Sequence, residues 1–239
     1  MTIEVVLLDI EGTTTAKSFV FDVLFPYARA HLESYVAEHR DDPRVREILR
    51  ATRQTVRDES GAAIDDERAV QTLLRWIDAD RKHTALKTLQ GYIWRSGYES
   101  GAYRAHLYAD VVPALDRWLA AGLRLAIYSS GSVEAQQLLF AHTEEGDLRD
   151  RISAYFDTRV GQKRDAASYR TIAETLGVDS SSILFLSDVT EELDAASIAG
   201  LQVVQVVRPG TEAGLHHPVI ADFSRLVDGF SIAVSPHPS

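Results

Sequence analysis

The stretch VVLLDIEGTTTAKSF, residues 5–19, decides the architecture. An apolar run from Val5 to Leu8 stops at Asp9, and a second acid, Glu11, stands across one apolar residue, followed by Gly12 and three threonines. The run lacks polar alternation, as strands buried on both faces of a parallel sheet do. Two carboxylates crowded at the end of such a strand are costly unless something uses them.

Three further runs have the same character: RLAIYSSG (124–131), SILFLSD (182–188) and LQVVQVV (201–207). Between the later runs lie PALDRWLAAG, SYRTIAETLG and TEELDAASIAG, which end on Gly122, Gly177 and Gly200. A glycine there suits the left-handed residue that closes a helix. The succession of strand, helix and strand predicts an α/β protein with a doubly wound parallel sheet.

Residues from about Lys17 to about Tyr103 read differently. FVFDVLFPYARAHLESYV, PRVREILRATRQTV and AVQTLLRWI are helical in pattern, and Val70, Leu73, Leu74 and Ile77 follow the i, i+3, i+4, i+7 spacing of an amphipathic helix. Asp41, Asp42 and Pro43 are expected to break one helix from the next, and DESGAAIDD to break another. The predicted organisation is a core formed by 1–16 and 104–239, with an all-helical insert at 17–103 after the first strand. The proline-broken tail AVSPHPS is expected to fray.

The chain has 239 residues, 45% of them hydrophobic, which suits a globular protein with a full core. A net charge of −10 disfavours a nucleic-acid or acidic-membrane surface, since phosphate backbones are bound by dense Lys and Arg. With no cysteine, disulfides, thiolate metal sites and cysteine nucleophiles are excluded. No run approaches the roughly 20 apolar residues of a membrane span, and MTIEVVLL is not a signal sequence, so a cytoplasmic protein is expected. The surface pattern favours a monomer.

In open α/β sheets the ligand crevice lies at the carboxyl ends of the strands. Four polar groups fall at or near such ends: Asp9 with Glu11, Ser129 with Ser130, Lys163 after YFDTRV, and Asp188. Singly, each has a structural explanation as a cap, a turn residue or a surface charge. Their order and placement together point to phosphoryl transfer through a carboxylate nucleophile. Asp9 would attack phosphorus and form an aspartyl-phosphate, splitting one difficult displacement into two. A carboxylate meeting a phosphate needs a divalent cation, and an all-oxygen donor set indicates Mg²⁺ held by Asp9, Asp188 and the backbone carbonyl of Glu11. Lys163 would offset phosphoryl charge, Ser129 would donate to the phosphoryl oxygens, and Glu11 would act as general acid and then base.

With these residues in place the chain resembles the haloacid dehalogenase-like hydrolases, whose phosphatases usually open with DxD. Here the motif is DIEGTT (9–14), accompanied by IYSSGSVEAQQLLF, FDTRVGQKRDAASY, FLSDVTEELDAA and VVRPG, and by FDVLFPYA and LQGYIWRSGY in the insert. This set is similar to the enolase-phosphatases (acireductone synthases) of methionine salvage. The resemblance implies Asp9 and Glu11 as nucleophile and acid, Ser129 and Ser130 as the phosphate- and substrate-binding pair, Lys163 as the motif lysine and Asp188 as the metal acid. It implies one Mg²⁺, and a small phosphorylated diketone as partner. The reaction implied is enolisation of 2,3-diketo-5-methylthiopentyl 1-phosphate, then hydrolysis to the acireductone 1,2-dihydroxy-3-keto-5-methylthiopentene and phosphate. The helical insert corresponds to that family's cap.

The longer Glu11 offers a reason for DxE: its extra methylene lets one carboxyl serve both the leaving oxygen and the neighbouring carbon. Phe21, Tyr27, Tyr92 and Trp94 are candidates for enclosing the thioether tail, with packing inside the insert the favoured reading. His216 and His217 read as a surface loop, since no third ligand is spaced for a metal. A plain phosphomonoesterase shares every core residue. A phospho-aspartate receiver domain shares the acid, hydroxyl and lysine, but its smaller size argues against it.

Overall fold

The computed structural model describes residues 2–228, so the tail AVSPHPS lies outside the described residues. Two compact units emerge: residues up to Lys17 together with those from Arg104 onward, and Ser18–Tyr103. Lys17 thus belongs with the sheet.

The sheet unit is α/β. Its strands are β1 (Val5–Leu8), β2 (Arg124–Tyr128), β3 (Ala154–Phe156), β4 (Ile183–Ser187), β5 (Gln202–Val206) and β6 (Val219–Ile220). They form one six-stranded sheet in the order β3-β2-β1-β4-β5-β6, with every pairing parallel. The chain winds from β1 outward through β2 to β3, then crosses back to β4 on the other side of β1. The point where the winding reverses, between β1 and β4, is where such sheets open a ligand crevice. β1 and β4 are buried along their whole lengths, which explains their unbroken apolar sequence.

β3 and β6 are not among the four runs predicted from sequence. They are edge strands of three and two residues, too short for a hydrophobic pattern.

The helices are α1 (Phe25–Glu38), α2 (Pro43–Ser60), α3 (Asp66–Asp78), α4 (Thr84–Glu99), α5 (Val111–Ala120), α6 (Val133–Ala141), α7 (Ala166–Leu176) and α8 (Thr190–Ile198). On one face of the sheet, Val5, Leu7, Tyr128 and Phe185 pack against Tyr169 and Ile172 of α7 and Leu193 and Ala196 of α8. Gly177 closes α7 with φ +67°, the left-handed conformation its position predicts.

In the helical unit, a π-helical turn at Phe19–Leu24 runs into α1. Its core joins Leu32, Ile48, Leu73, Trp76, Leu89 and Ile93 from α1 to α4. Asp42 caps α2 by accepting from the Arg44 amide, as the expected break requires. The second break is shorter than expected. Asp58, Glu59 and Ser60 complete α2, Gly61 closes it at φ +72°, and Asp65 caps α3. In α3 the fully buried residues are Ala69, Thr72, Leu73 and Trp76, while Val70, Leu74 and Ile77 are only half-buried. The buried stripe is rotated toward Thr72 and Trp76, away from Val70, Leu74 and Ile77.

Candidate active site

Register brings the candidate residues to one level. Leu8 pairs with Ile127 on one side and Leu186 on the other. One step on, Asp9 stands between Tyr128 and Ser187, and two steps on come Ser129 and Asp188. The Asp9 amide donates to Leu186 O at 3.0 Å, so the sheet's hydrogen bonding continues to Asp9.

Beyond Asp9 the chain turns sharply. The amides of Thr13, Thr14 and Thr15 all converge on the Ile10 carbonyl, and Gly12 adopts φ +79°. A Cβ on Gly12 would lie 2.6 Å from Asp188 Oδ2, so glycine also permits the close approach of the two loops. Thr13 Oγ1 accepts from the Asp188 amide at 3.1 Å. Arg208, from the VVRPG motif, is buried and locks this turn. Its Nε donates to Thr13 O at 3.0 Å, and Nη1 and Nη2 grip Asp110 at 2.7 and 2.8 Å.

Lys163 is the centre of charge. Its Nζ lies 2.5 Å from Asp9 Oδ1 and 2.6 Å from Glu192 Oε2, and all three side chains are largely buried. Burial alone would lower the lysine's pKa, but Asp9 and Glu192 outweigh it and hold the ammonium above its ordinary value. The loop carrying it is fixed by three hydroxyls. Tyr128 donates to Gly161 O (2.9 Å), Ser168 to Gln162 O (2.7 Å) and Tyr169 to Lys163 O (2.7 Å).

Glu192 was not singled out by the sequence reading. It sits four residues after Asp188 on α8, beside an equally acidic Glu191, and only the fold shows that Glu192 turns inward. Ser187 donates to it at 3.0 Å. Burial, with the negative charge of Asp9, pushes Glu192 up to about 7, and Lys163 draws back only part of that rise.

Ser129 is buried, and its Oγ accepts from the Gly131 amide at 3.2 Å. Ser130 is exposed, and Ser132 caps α6 by accepting from the Ala135 amide. Glu11 is half-buried, with its backbone bridged to Thr15. Asp188 is buried, and Lys17 Nζ lies 2.6 Å from its Oδ2. Burial and the nearby Asp9 raise the Asp188 carboxyl, with Lys17 acting against them.

Among the described residues no cluster of three or more His, Cys, Asp or Glu side chains is arranged to hold a metal. The expected set uses only two carboxylates, with a backbone carbonyl completing it. Asp188 fits it: its Oδ1 is buried with no hydrogen-bond partner, an acceptor still to be satisfied. The available donors are all oxygen, which suits a hard divalent cation.

Three of the four insert candidates have packing roles. Trp94 donates to Leu24 O at 2.8 Å, Tyr92 lies under the Arg44 guanidinium, and Tyr27 meets Tyr103 edge-on. Phe21 is exposed. His216 is exposed as a surface loop predicts, whereas the His217 side chain is 11% exposed and pairs with Asp194 of α8 at 2.7 Å.

A strand-end aspartate, a buried lysine and a second strand-end acid meet at the switch point of a parallel sheet, the place where α/β folds bind their ligands. A profile of the haloacid dehalogenase-like hydrolases matches residues 3–200. Two curated relatives, each called Enolase-phosphatase E1, come from Sorangium cellulosum and Pseudomonas aeruginosa. The first is 54% identical over 220 residues, covering 91% of this chain and 94% of the relative. The second is 51% identical over 228 residues, covering 95% and 99%. The chain belongs to the enolase-phosphatase family of haloacid dehalogenase-like hydrolases. Among solved structures, the UTR4 protein of Saccharomyces cerevisiae superposes with a TM-score of 0.79 at 36% identity, covering 93% of this chain and 99% of that one. A 2-haloacid dehalogenase from Pseudomonas syringae shares the fold at a TM-score of 0.60 and 18% identity, covering 95% and 97%.

Proposed function

We propose that this enzyme converts 2,3-diketo-5-methylthiopentyl 1-phosphate, through its enol, into the acireductone and phosphate. The observation that carries this reading is the Lys163 ammonium held between Asp9 and Glu192 at the strand ends. It supports this reading because it orients Asp9 and sets a cation beside it, where phosphoryl oxygens would sit if Asp9 attacks phosphorus.

Asp9 attacks phosphorus; the P–O bond to the substrate breaks as the bond to the carboxylate forms. Glu11 protonates the departing enol oxygen, then takes a proton from the water that attacks phosphorus and frees Asp9. Lys163 and the Ser129 hydroxyl, with Ser130 at the rim, meet the charge that develops on the phosphoryl oxygens. Asp9, Asp188 and the Glu11 carbonyl would hold one Mg²⁺, which when bound supplies charge neutralisation and polarises substrate oxygen. The helical insert is the proposed cap, supplying the apolar enclosure that a thioether tail needs.

The same reading takes the enzyme as a cytoplasmic monomer without nucleic-acid or membrane partners. Among the described residues no helix is long and apolar enough to cross a membrane.

The test is to give the purified protein the diketo phosphate with Mg²⁺ and follow enol absorbance and free phosphate together. Both signals, lost in EDTA, are expected. Hydrolysis of a generic aryl phosphate without acireductone formation would reduce the reading to a plain phosphomonoesterase.

A further inference from the structure

Lys17 has no part in the reaction above, yet its ammonium is anchored on a carboxylate of the site. Nζ lies 2.6 Å from Asp188 Oδ2, and the carboxylate it touches is 2% exposed while the lysine side chain is 45% exposed. Its stem crosses directly over Gly12, where an added Cβ would come within 2.7 Å of Lys17 Cε. Asp9 and Glu11 also act on this ammonium electrostatically, after Asp188. A flexible cation therefore sits on Asp188 after β4 and within electrostatic reach of Asp9 and Glu11 after β1. Lys163 differs, because both its partners and the lysine itself are buried.

We propose that Lys17 is a tethered counter-cation of the metal site, occupying Asp188 in the metal-free enzyme and competing with the divalent ion for it. This rests on the metal site proposed above. Lys163 answers Asp9, but without Lys17 the buried Asp188 carboxylate would have no cation of its own, and a buried carboxylate left unpaired is costly. A partly exposed lysine relieves that cost at low metal, and its long stem, 45% exposed, can swing the ammonium into solvent. The consequence is a weaker affinity for Mg²⁺ than the same acids would have alone. The competing positive charge must leave Asp188 Oδ2 or remain nearby and repel the ion.

The experiment titrates metal-stripped protein with MgCl₂ at constant ionic strength, by calorimetry and by thermal unfolding, for wild type, Lys17→Met and Lys17→Arg. Lys17→Met is expected to bind Mg²⁺ about fivefold more tightly, as removal of a partly exposed ion pair implies. It should also melt lower in EDTA and gain more from saturating Mg²⁺. Lys17→Arg keeps the charge and should stay near wild type. Asp188→Asn should abolish binding. An unchanged or weaker Mg²⁺ affinity in a folded Lys17→Met overturns the proposal. If that result comes with a raised KM for the diketo phosphate, the lysine serves the phosphate instead. A wild type that turns over the diketo phosphate with Mg²⁺ while Lys17→Met binds Mg²⁺ unchanged sinks the counter-cation alone. A wild type with neither Mg²⁺ binding nor turnover removes the functional reading and this proposal together.

Discussion

Lys163 and Glu192 form a buried ion pair of 2.6 Å, and the same ammonium holds Asp9. One lysine thus serves two carboxylates, and Glu192 is left with a pKa raised to about 7 from the ordinary 4.5 by burial and by the charge of Asp9. Between those two values the folded protein retains a proton that the unfolded chain has released. Stability from this group is therefore greatest at low pH and is withdrawn as pH rises toward 7. In metal-stripped protein, Glu192→Gln should flatten the fall of unfolding free energy across that window, by about 3 kcal/mol at most. Denaturant titrations at several pH values check this, and parallel profiles for both proteins would contradict it.

Tyr169 is fully buried and its hydroxyl donates to the Lys163 carbonyl at 2.7 Å. Tyr169→Phe keeps the ring packed on Phe185 but releases the loop. A loss of about 1 kcal/mol is expected from the hydrogen bond. The kcat should fall more than KM rises, since the lysine matters most when charge develops; steady-state kinetics with urea unfolding separates the two effects.

Arg208 closes a bidentate pair with Asp110 and also holds the turn after β1 through Thr13 O. Arg208→Ala strands a largely buried carboxylate and should cost about 3–5 kcal/mol. The double variant with Asp110→Ala should cost less than the two single changes combined, because neither charge is then left alone. Additive losses in chemical denaturation would count against the clamp.

Glu11→Asp shortens the proposed proton carrier by one methylene. Its enolisation rate on the diketo phosphate is expected to drop at least about tenfold further than its hydrolysis of an aryl phosphate, the scale on which a misplaced acid–base group acts. Equal losses in both reactions would sink the two-atom role.

The legible part of this site came from strand ends. Asp9 and Asp188 each follow an apolar run directly, and a polar residue that stops a buried strand is conspicuous in the chain. Glu192 was hidden because Glu191 beside it is chemically identical, and only the helical phase of α8 turns one inward. Lys17 was hidden for a related reason: an exposed lysine after a turn has the composition of any surface loop. The break expected across DESGAAIDD begins three residues later than its first Asp58, because Asp, Glu and Ser suit both a loop and a helix end, and Gly61 carries the stop.

The sequence by itself determined the α/β class, the helical insert and the four strand-end polar groups, because each is written in contiguous residues with a local period. Tertiary structure alone decided which charges meet. Lys163 and Asp9 are 154 residues apart, and Arg208 and Thr13 are 195 apart. Such pairs are set by the order of strands in the sheet and the reversal between β1 and β4. No local pattern records that order, since parallel neighbours are joined by long crossovers and their contacts form only when the sheet is assembled.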